Sequence, residues 1–306
     1  MVFQFEHVDL DSGPSGKWDI APMTMLDLKH SLNRWQEGLA EVGWNSLYLG
    51  NHDQPRCVSR FGNDDPEHRE QSAKALATVL HLHRGTPYVY QGDELGLPNV
   101  GYTRLDQLRD IESLNYHATA VAAGRAPDEV MRALSAKGRD NARVPMPWDA
   151  SPTGGFTTGS PWIEVHPLLA EVNAAAQVDD PDSVFAHFRR LIALRHHEPV
   201  LAHGSFRMVL LDDPQVYAFV RDHEGDRLLV VANLSDAADV VADLSEVAWE
   251  DTELVLGSVP GSTASPTDPL GPWESRVHRL ARFGTASIEH SERAGELLAD
   301  LLEHKE

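Results

Sequence analysis

Within one short run, Asn51-His52-Asp53-Gln54-Pro55-Arg56, the sequence places a carboxylate, an imidazole and a guanidinium side by side. The run directly follows residues 45–49, an apolar stretch that reads as a buried strand. Polar groups at the mouth of a parallel strand stand where barrel folds present chemistry to a ligand. An aspartate there can bind hydroxyls, stabilise developing positive charge or merely cap a turn. Residue types alone leave these alternatives open for Asp53, and Arg56 serves equally well as the edge of a site or as half of a structural ion pair. Glu6 and His7 follow another apolar stretch, where they would line a pocket or hold a structural hydrogen bond. Asp93 with Glu94, and Asp110 with Glu112, read as carboxylates that brace loops near the same mouth.

The elements that must position these groups alternate in the manner of βα units. Residues 1–5, 45–49 and 87–90 read as short buried strands about forty residues apart. Between the first two, Met25, Leu28, Leu32, Trp35, Leu39 and Val42 recur at helical spacing. A second helix is predicted over 69–84, ended by Gly85, and a third over 105–121. Residues 138–166 are rich in Gly, Pro and Thr and read as an ordered loop packed by Trp148, Phe156 and Trp162. A helix follows over 183–195 with Asp182 as N-cap. Residues 206–211, 216–221, 227–233 and 276–280 then read as strands of an antiparallel domain. The expected organisation is an α/β unit over 1–195, a β-sandwich over 196–280 and a helical tail over 281–306.

Composition narrows the partners. The 306 residues carry 26 Lys and Arg against 47 Asp and Glu, a net charge of −21, which disfavours nucleic acid and anionic membrane surfaces. No apolar run approaches the roughly 18 residues of a membrane span. Residues 1–13 hold Glu6, Asp9 and Asp11 where a secretory signal would need positive charge. Cys57 is the single cysteine, so no intrachain disulfide can form, and a cytoplasmic location is expected. The sixteen histidines suggest no metal site: His81 and His83 are two apart on a predicted helix, and His196 and His197 are adjacent. No cofactor is expected.

The stretch N-H-D-Q-P-R-C-V-S-R-F-G-N-D over 51–64 closely resembles the fourth signature region of glycoside hydrolase family 13, the α-amylase superfamily. Further stretches are similar to its oligo-1,6-glucosidase and α-glucosidase branch, in the same order: F-Q-F-E-H at 3–7, G-T-P-Y-V-Y-Q-G-D-E-L-G at 85–96, R-D-I-E-S-L-N at 109–115 and G-R-D-N-A-R-V-P-M-P-W-D at 138–149. So are G-G-F-T-T-G-S-P-W-I at 154–163 and L-G-P-W-E-S-R-V-H-R-L at 270–280.

The resemblance implies strands six to eight of a (β/α)8 TIM barrel followed by a β-sandwich, and an enzyme acting on short α-linked gluco-oligosaccharides. It implies that Asp53 stabilises the transition state and that His52 and Arg139 bind the sugar, and Arg56 and Glu6 stand with them, by position, as candidate substrate-binding residues. An ion pair of Arg139 with Asp140 or Asp149 is the structural alternative, and Arg143 reads as structural. In the family, the nucleophilic Asp and the acid/base Glu follow strands four and five, upstream of Met1. The expectation is therefore a C-terminal part, inactive by itself, whose partner is the remaining N-terminal part. A sucrose isomerase or trehalose synthase is the alternative within the family. The isomerases carry an arginine-rich loop after strand six, whereas residues 8–12 here read V-D-L-D-S. A non-catalytic binding protein with the family fold is the alternative outside enzymes.

Overall fold

The computed structural model describes residues 1–281. Its first part comprises strands β1 (Ser12–Gly13) and β2 (Gly16–Ile20), helix α1 (Met25–Gly38), strand β3 (Ser46–Leu47), helices α2 (Cys57–Phe61) and α3 (Arg69–Leu82) and strand β4 (Thr86–Pro87). Helices α4 (Ile111–Ala122), α5 (Pro127–Lys137), α6 (Ala174–Gln177), α7 (Val184–His197) and α8 (Pro199–His203) follow. Strands β5 (Ser205–Val209), β6 (Val216–His223), β7 (Asp226–Asn233), β8 (Thr252–Gly257) and β9 (Ser275–Leu280) complete the described chain.

The strands expected over 45–49 and 87–90 are present as β3 and β4, paired in parallel with Ser46 opposite Thr86. Val2 adds a parallel bridge to Asn45 on the other side, so three parallel segments lie in the expected order. Regular pairing is shorter than predicted. Pro87 has no N–H to give the ladder, which is carried by Thr86 N to Asn45 O at 2.8 Å and Tyr88 N to Leu47 O at 2.7 Å. Residues 1–5 contribute only that bridge, and Phe3 and Phe5 remain exposed. Gly85 enters β4 with φ +149°, and a Cβ there would meet Asn45 O at 2.6 Å, so the close approach requires glycine.

Helix α1 begins at a capping box, with Asp27 N donating to Thr24 Oγ1 and Thr24 N to the Asp27 carboxylate. It stops at Gly38, which leaves Val42 exposed rather than on the predicted apolar face. Helix α3 is buried along most of its length between β3, α7 and the antiparallel sheet. The helix expected over 105–121 is interrupted: a 3-10 turn at Leu105–Gln107 precedes α4, whose N-cap is Asp110. Helix α7 is capped by Ser183 and not by Asp182, because the Ser183 hydroxyl accepts from Ala186 N at 3.0 Å. Trp148, Phe156 and Trp162 are exposed, so they do not pack the 138–166 segment. That segment is fixed by backbone bonds such as Trp148 N to Gly154 O at 2.8 Å.

The five C-terminal strands form one antiparallel sheet in the order β5-β6-β7-β9-β8. Alternate residues face opposite layers. Tyr217, Phe219, Leu228, Val230 and Val277 pack with Leu28, Leu32 and α3, while Val216, Ala218, Leu229 and Val231 pack against Val240, Ala242, Leu244 and Val247. The expected β-sandwich is corrected on this point: among the described residues the second layer is an irregular segment, not a second sheet. Its aspartates compete for the backbone, as where Asp243 Oδ1 accepts from Ser245 N at 3.1 Å. Lys29 and Arg221 stitch the sheet to the first half. The buried Lys29 ammonium donates to the carbonyls of Leu210, Asp213 and Val216, and Arg221 to those of Leu82, Leu201, Gly204 and Ser205. The helical tail expected beyond residue 281 lies outside the described residues.

Candidate active site

The loop leaving the C-terminal end of β3 carries residues 51–56. Asn51 turns it, accepting from Asp53 N at 2.8 Å on its side chain and from Gln54 N at 3.2 Å on its carbonyl. Arg56 is buried beneath the loop. Its guanidinium donates to Gln91 O at 2.6 Å and Asn141 O at 2.9 Å, and its backbone N–H to Asn99 Oδ1 at 2.9 Å. Arg56 therefore ties three segments together through carbonyls, and no carboxylate pairs with it among the described contacts.

The 3-10 turn Arg139–Ala142 is brought over this loop by Asn141, whose side chain accepts from Val100 N and donates to Ser135 O and Gly138 O. Arg139 and Arg143 are four apart across that turn and reach the same side. Arg139 grips Asp110 bidentately, at 2.6 and 2.9 Å, and extends to Asp53 Oδ1 at 3.4 Å and Glu112 Oε2 at 3.2 Å. Neither Asp140 nor Asp149, the partners weighed from sequence, is its ion-pair partner. Arg143 donates to Asp53 Oδ1 at 2.6 Å and to His52 O at 3.0 Å, and lies 3.6 Å from Asp110 Oδ1. Arg143 thus ties the 139–142 turn to the 51–56 loop, a contact that fits the structural reading and also places its guanidinium on Asp53. Its four-residue separation from Arg139 in R-D-N-A-R was the available signal.

His52 Nε2 lies 3.2 Å from Asp53 Oδ2, and both side chains are open to solvent. Asp53 Oδ1 is committed to the two guanidiniums, whereas Oδ2 meets the His52 imidazole, and both side chains stay partly exposed. Such an arrangement can hold adjacent hydroxyls of a polyol. Asp110 is buried behind it. Burial alone would raise its carboxyl, but the hydrogen bond and charge of Arg139 outweigh this and hold it below the ordinary value. The hydrogen bond to Asp110, against a smaller opposing effect of burial, raises the Arg139 guanidinium.

Glu6 is engaged elsewhere, accepting from Arg34 and from Trp35 Nε1 at 2.7 Å, so the structure does not bring it to the Asp53 cluster. Neighbouring His7 is buried against Tyr48, and burial pushes it down to about 4. Asp93 is buried and pushed up to about 6 by that burial, while Glu94 is raised for the same reason and accepts from Gly92 N at 2.7 Å. Among the described residues no three His, Cys, Asp or Glu side chains are grouped to hold a metal ion. No described helix is long and apolar enough to cross a membrane.

The α-amylase catalytic domain matches residues 1–204, and the maltogenic amylase C-terminal domain matches residues 206–274. An oligo-1,6-glucosidase of Halalkalibacterium halodurans is 48% identical over 282 residues, covering 91% of this chain and 50% of its own. A trehalose-6-phosphate hydrolase of Bacillus subtilis is 41% identical, covering 92% and 51%. Among solved structures, the trehalose-6-phosphate hydrolase of Bacillus licheniformis superposes with a TM-score of 0.86 at 37% identity, covering 92% of this chain and 51% of that one. The isomaltulose synthase of Klebsiella gives 0.86 at 33%, covering 90% and 50%. The chain spans about half the length of the curated relatives it matches. With a catalytic-domain match over residues 1–204 and the Asp53 loop at the end of a parallel strand, the chain belongs to the α-amylase catalytic-domain family.

Proposed function

We propose that this chain is the C-terminal part of a cytoplasmic retaining α-glucosidase that hydrolyses short α-linked gluco-oligosaccharides. The observation that carries the reading is Asp53, held on Oδ1 by Arg143 and Arg139 while Oδ2 meets His52 and both side chains stay exposed to solvent. In this reading the three parallel segments are strands six to eight of a (β/α)8 barrel, and a polypeptide matching the other half of the relatives supplies the rest.

Retaining hydrolysis needs a carboxylate that attacks the anomeric carbon and a carboxylic acid about 5–5.5 Å away that protonates the leaving oxygen. Asp53 does neither. With one oxygen fixed by two cations, it binds sugar hydroxyls and favours the oxocarbenium-like ring, and His52 donates to the same sugar. Asp110 is sealed behind Arg139, and Asp93 is buried, so neither meets a substrate in this reading.

The test combines this chain with the N-terminal half of an oligo-1,6-glucosidase relative and follows hydrolysis of p-nitrophenyl α-glucoside and isomaltose. Activity is expected from the mixture, not from the chain alone, and Asp53→Asn should abolish it. Hydrolysis by the chain alone that survives Asp53→Asn would overturn the assignment of the site.

A further inference from the structure

Two Arg-Asp pairs, Arg109-Asp110 and Arg139-Asp140, hold each other reciprocally. The Arg139 side chain grips the Asp110 carboxylate, at 2.6 and 2.9 Å. In return the Asp140 carboxylate accepts on Oδ2 from the backbone N–H groups of both Arg109, at 2.7 Å, and Asp110, at 2.9 Å. Asp140 is fully buried, and its own carbonyl accepts from Arg143 N at 3.0 Å. The two N–H donors lie just before α4, where the helix terminus further favours negative charge. We infer that Asp140 is a positioning residue: by fixing the backbone of Asp110 it aims the carboxylate that sets Arg139 against Asp53.

The argument turns on what Arg139 would otherwise do. Glu112 Oε2 lies 3.2 Å from its Nε, closer than the 3.4 Å to Asp53, and Glu112 is also paired with Lys17 at 2.9 Å. The bidentate hold of Asp110, at 2.6 and 2.9 Å, is the shortest of these contacts and fixes the guanidinium plane where it reaches Asp53. If the Asp110 backbone were released, that plane would be free to turn toward Glu112 and solvent. A charged acceptor for two backbone donors is a stronger seat than a neutral one, yet an amide oxygen of the same shape can still accept both bonds.

The inference takes its functional meaning from the proposed role of Asp53, but its test does not depend on hydrolysis. The chain is labelled with carbon-13 at aspartate carboxyls, and the titration of Asp110 is followed by NMR in the wild type, Asp140→Asn and Asp140→Ala. Asp140→Asn should leave Asp110 titrating as in the wild type. Asp140→Ala, with its fold retained by circular dichroism, should move the Asp110 midpoint upward by about one pH unit as Arg139 loosens. A folded Asp140→Ala chain with an unmoved Asp110 midpoint overturns the inference. Should that variant fail to fold, amide hydrogen exchange of the wild type decides: Arg109 and Asp110 amides exchanging as fast as unprotected backbone overturn it, and strong protection supports it. Hydrolysis that survives Asp53→Asn overturns the site assignment alone and leaves the Asp110 titration result standing, so the two failures are distinguishable.

Discussion

Arg143 stands closer to Asp53 than Arg139 does, 2.6 Å against 3.4 Å, and holds the carbonyl of His52 with the same guanidinium. The two arginines of R-D-N-A-R therefore divide the work. Arg139 is anchored by Asp110 and reaches Asp53 at its limit, whereas Arg143 fixes both residues that face the sugar in the proposed reading. Arg143→Ala should cost on the order of 2–3 kcal/mol of transition-state binding, about 100-fold in kcat/KM of the combined two-part enzyme. Arg143→Lys should recover only part of this, because an ammonium cannot reproduce the planar fork. Unchanged kcat/KM in Arg143→Ala would return Arg143 to a structural role.

The buried Lys29 ammonium joins α1 to the antiparallel sheet through three carbonyls, at 2.7, 2.6 and 2.6 Å, and burial pushes it down to about 8. Lys29→Met matches the stem of the side chain but leaves those carbonyls without their donor. The expected loss is about 2–4 kcal/mol, read as a lower urea midpoint with an unchanged slope. A midpoint equal to the wild type would show that the stitch contributes nothing net.

What the sequence made legible was local. The spacing of Leu28 and Leu32 announced α1, the short strand-like runs of β6 and β7 with turn residues between them announced the sheet, and the run after residue 45 announced both a strand and its chemical loop. What stayed hidden depends on distant pairing. Asp53 and Arg143 are 90 positions apart, and Asp110 meets Arg139 across 29, so no window of sequence displays either contact. Helix α5 escaped notice although Pro127 at its first turn and the acidic Asp128 and Glu129 are a start signal. The exposed Trp148, Phe156 and Trp162 misled for a different reason: aromatic residues in a glycine-rich loop resemble packing residues until the backbone shows where the loop turns.

Cys57 opens α2 with its thiol against Asp93, and burial together with that carboxylate pushes it well above the ordinary thiol value. A protonated, half-buried thiol is a poor nucleophile. Modification of the folded chain by a disulfide reagent at mildly alkaline pH should be at least ~100-fold slower than in urea. Equal rates in the two conditions would mean that Cys57 is open to solvent.

The described histidines His7, His81, His83, His166, His187 and His278 are all buried. Burial is the leading cause that pushes each one down, to about 4 for His7, His81, His166 and His278 and to about 3 for His83 and His187. The unfolded chain takes up these protons near pH 6.5, so between about 6.5 and 4 it binds more protons than the folded chain. Stability is therefore full above about pH 6.5 and falls as pH drops, by up to about 1.4 kcal/mol per pH unit for each histidine. Asp93 acts in the opposite sense. Raised to about 6, it keeps in the folded state a proton that the unfolded state has lost, so its contribution diminishes as pH rises toward 6. Asp93 and the likewise raised Glu94 do not offset six histidines, and urea unfolding should show a steep loss of stability from about pH 6.5 down to about pH 5. His278 isolates one share of the effect, since neither ring nitrogen has a hydrogen-bond partner among the described residues. His278→Leu should be no less stable than the wild type at neutral pH, and its stability should fall less steeply by one proton. An unchanged slope in that variant, or flat stability across the window in the wild type, would refute the account.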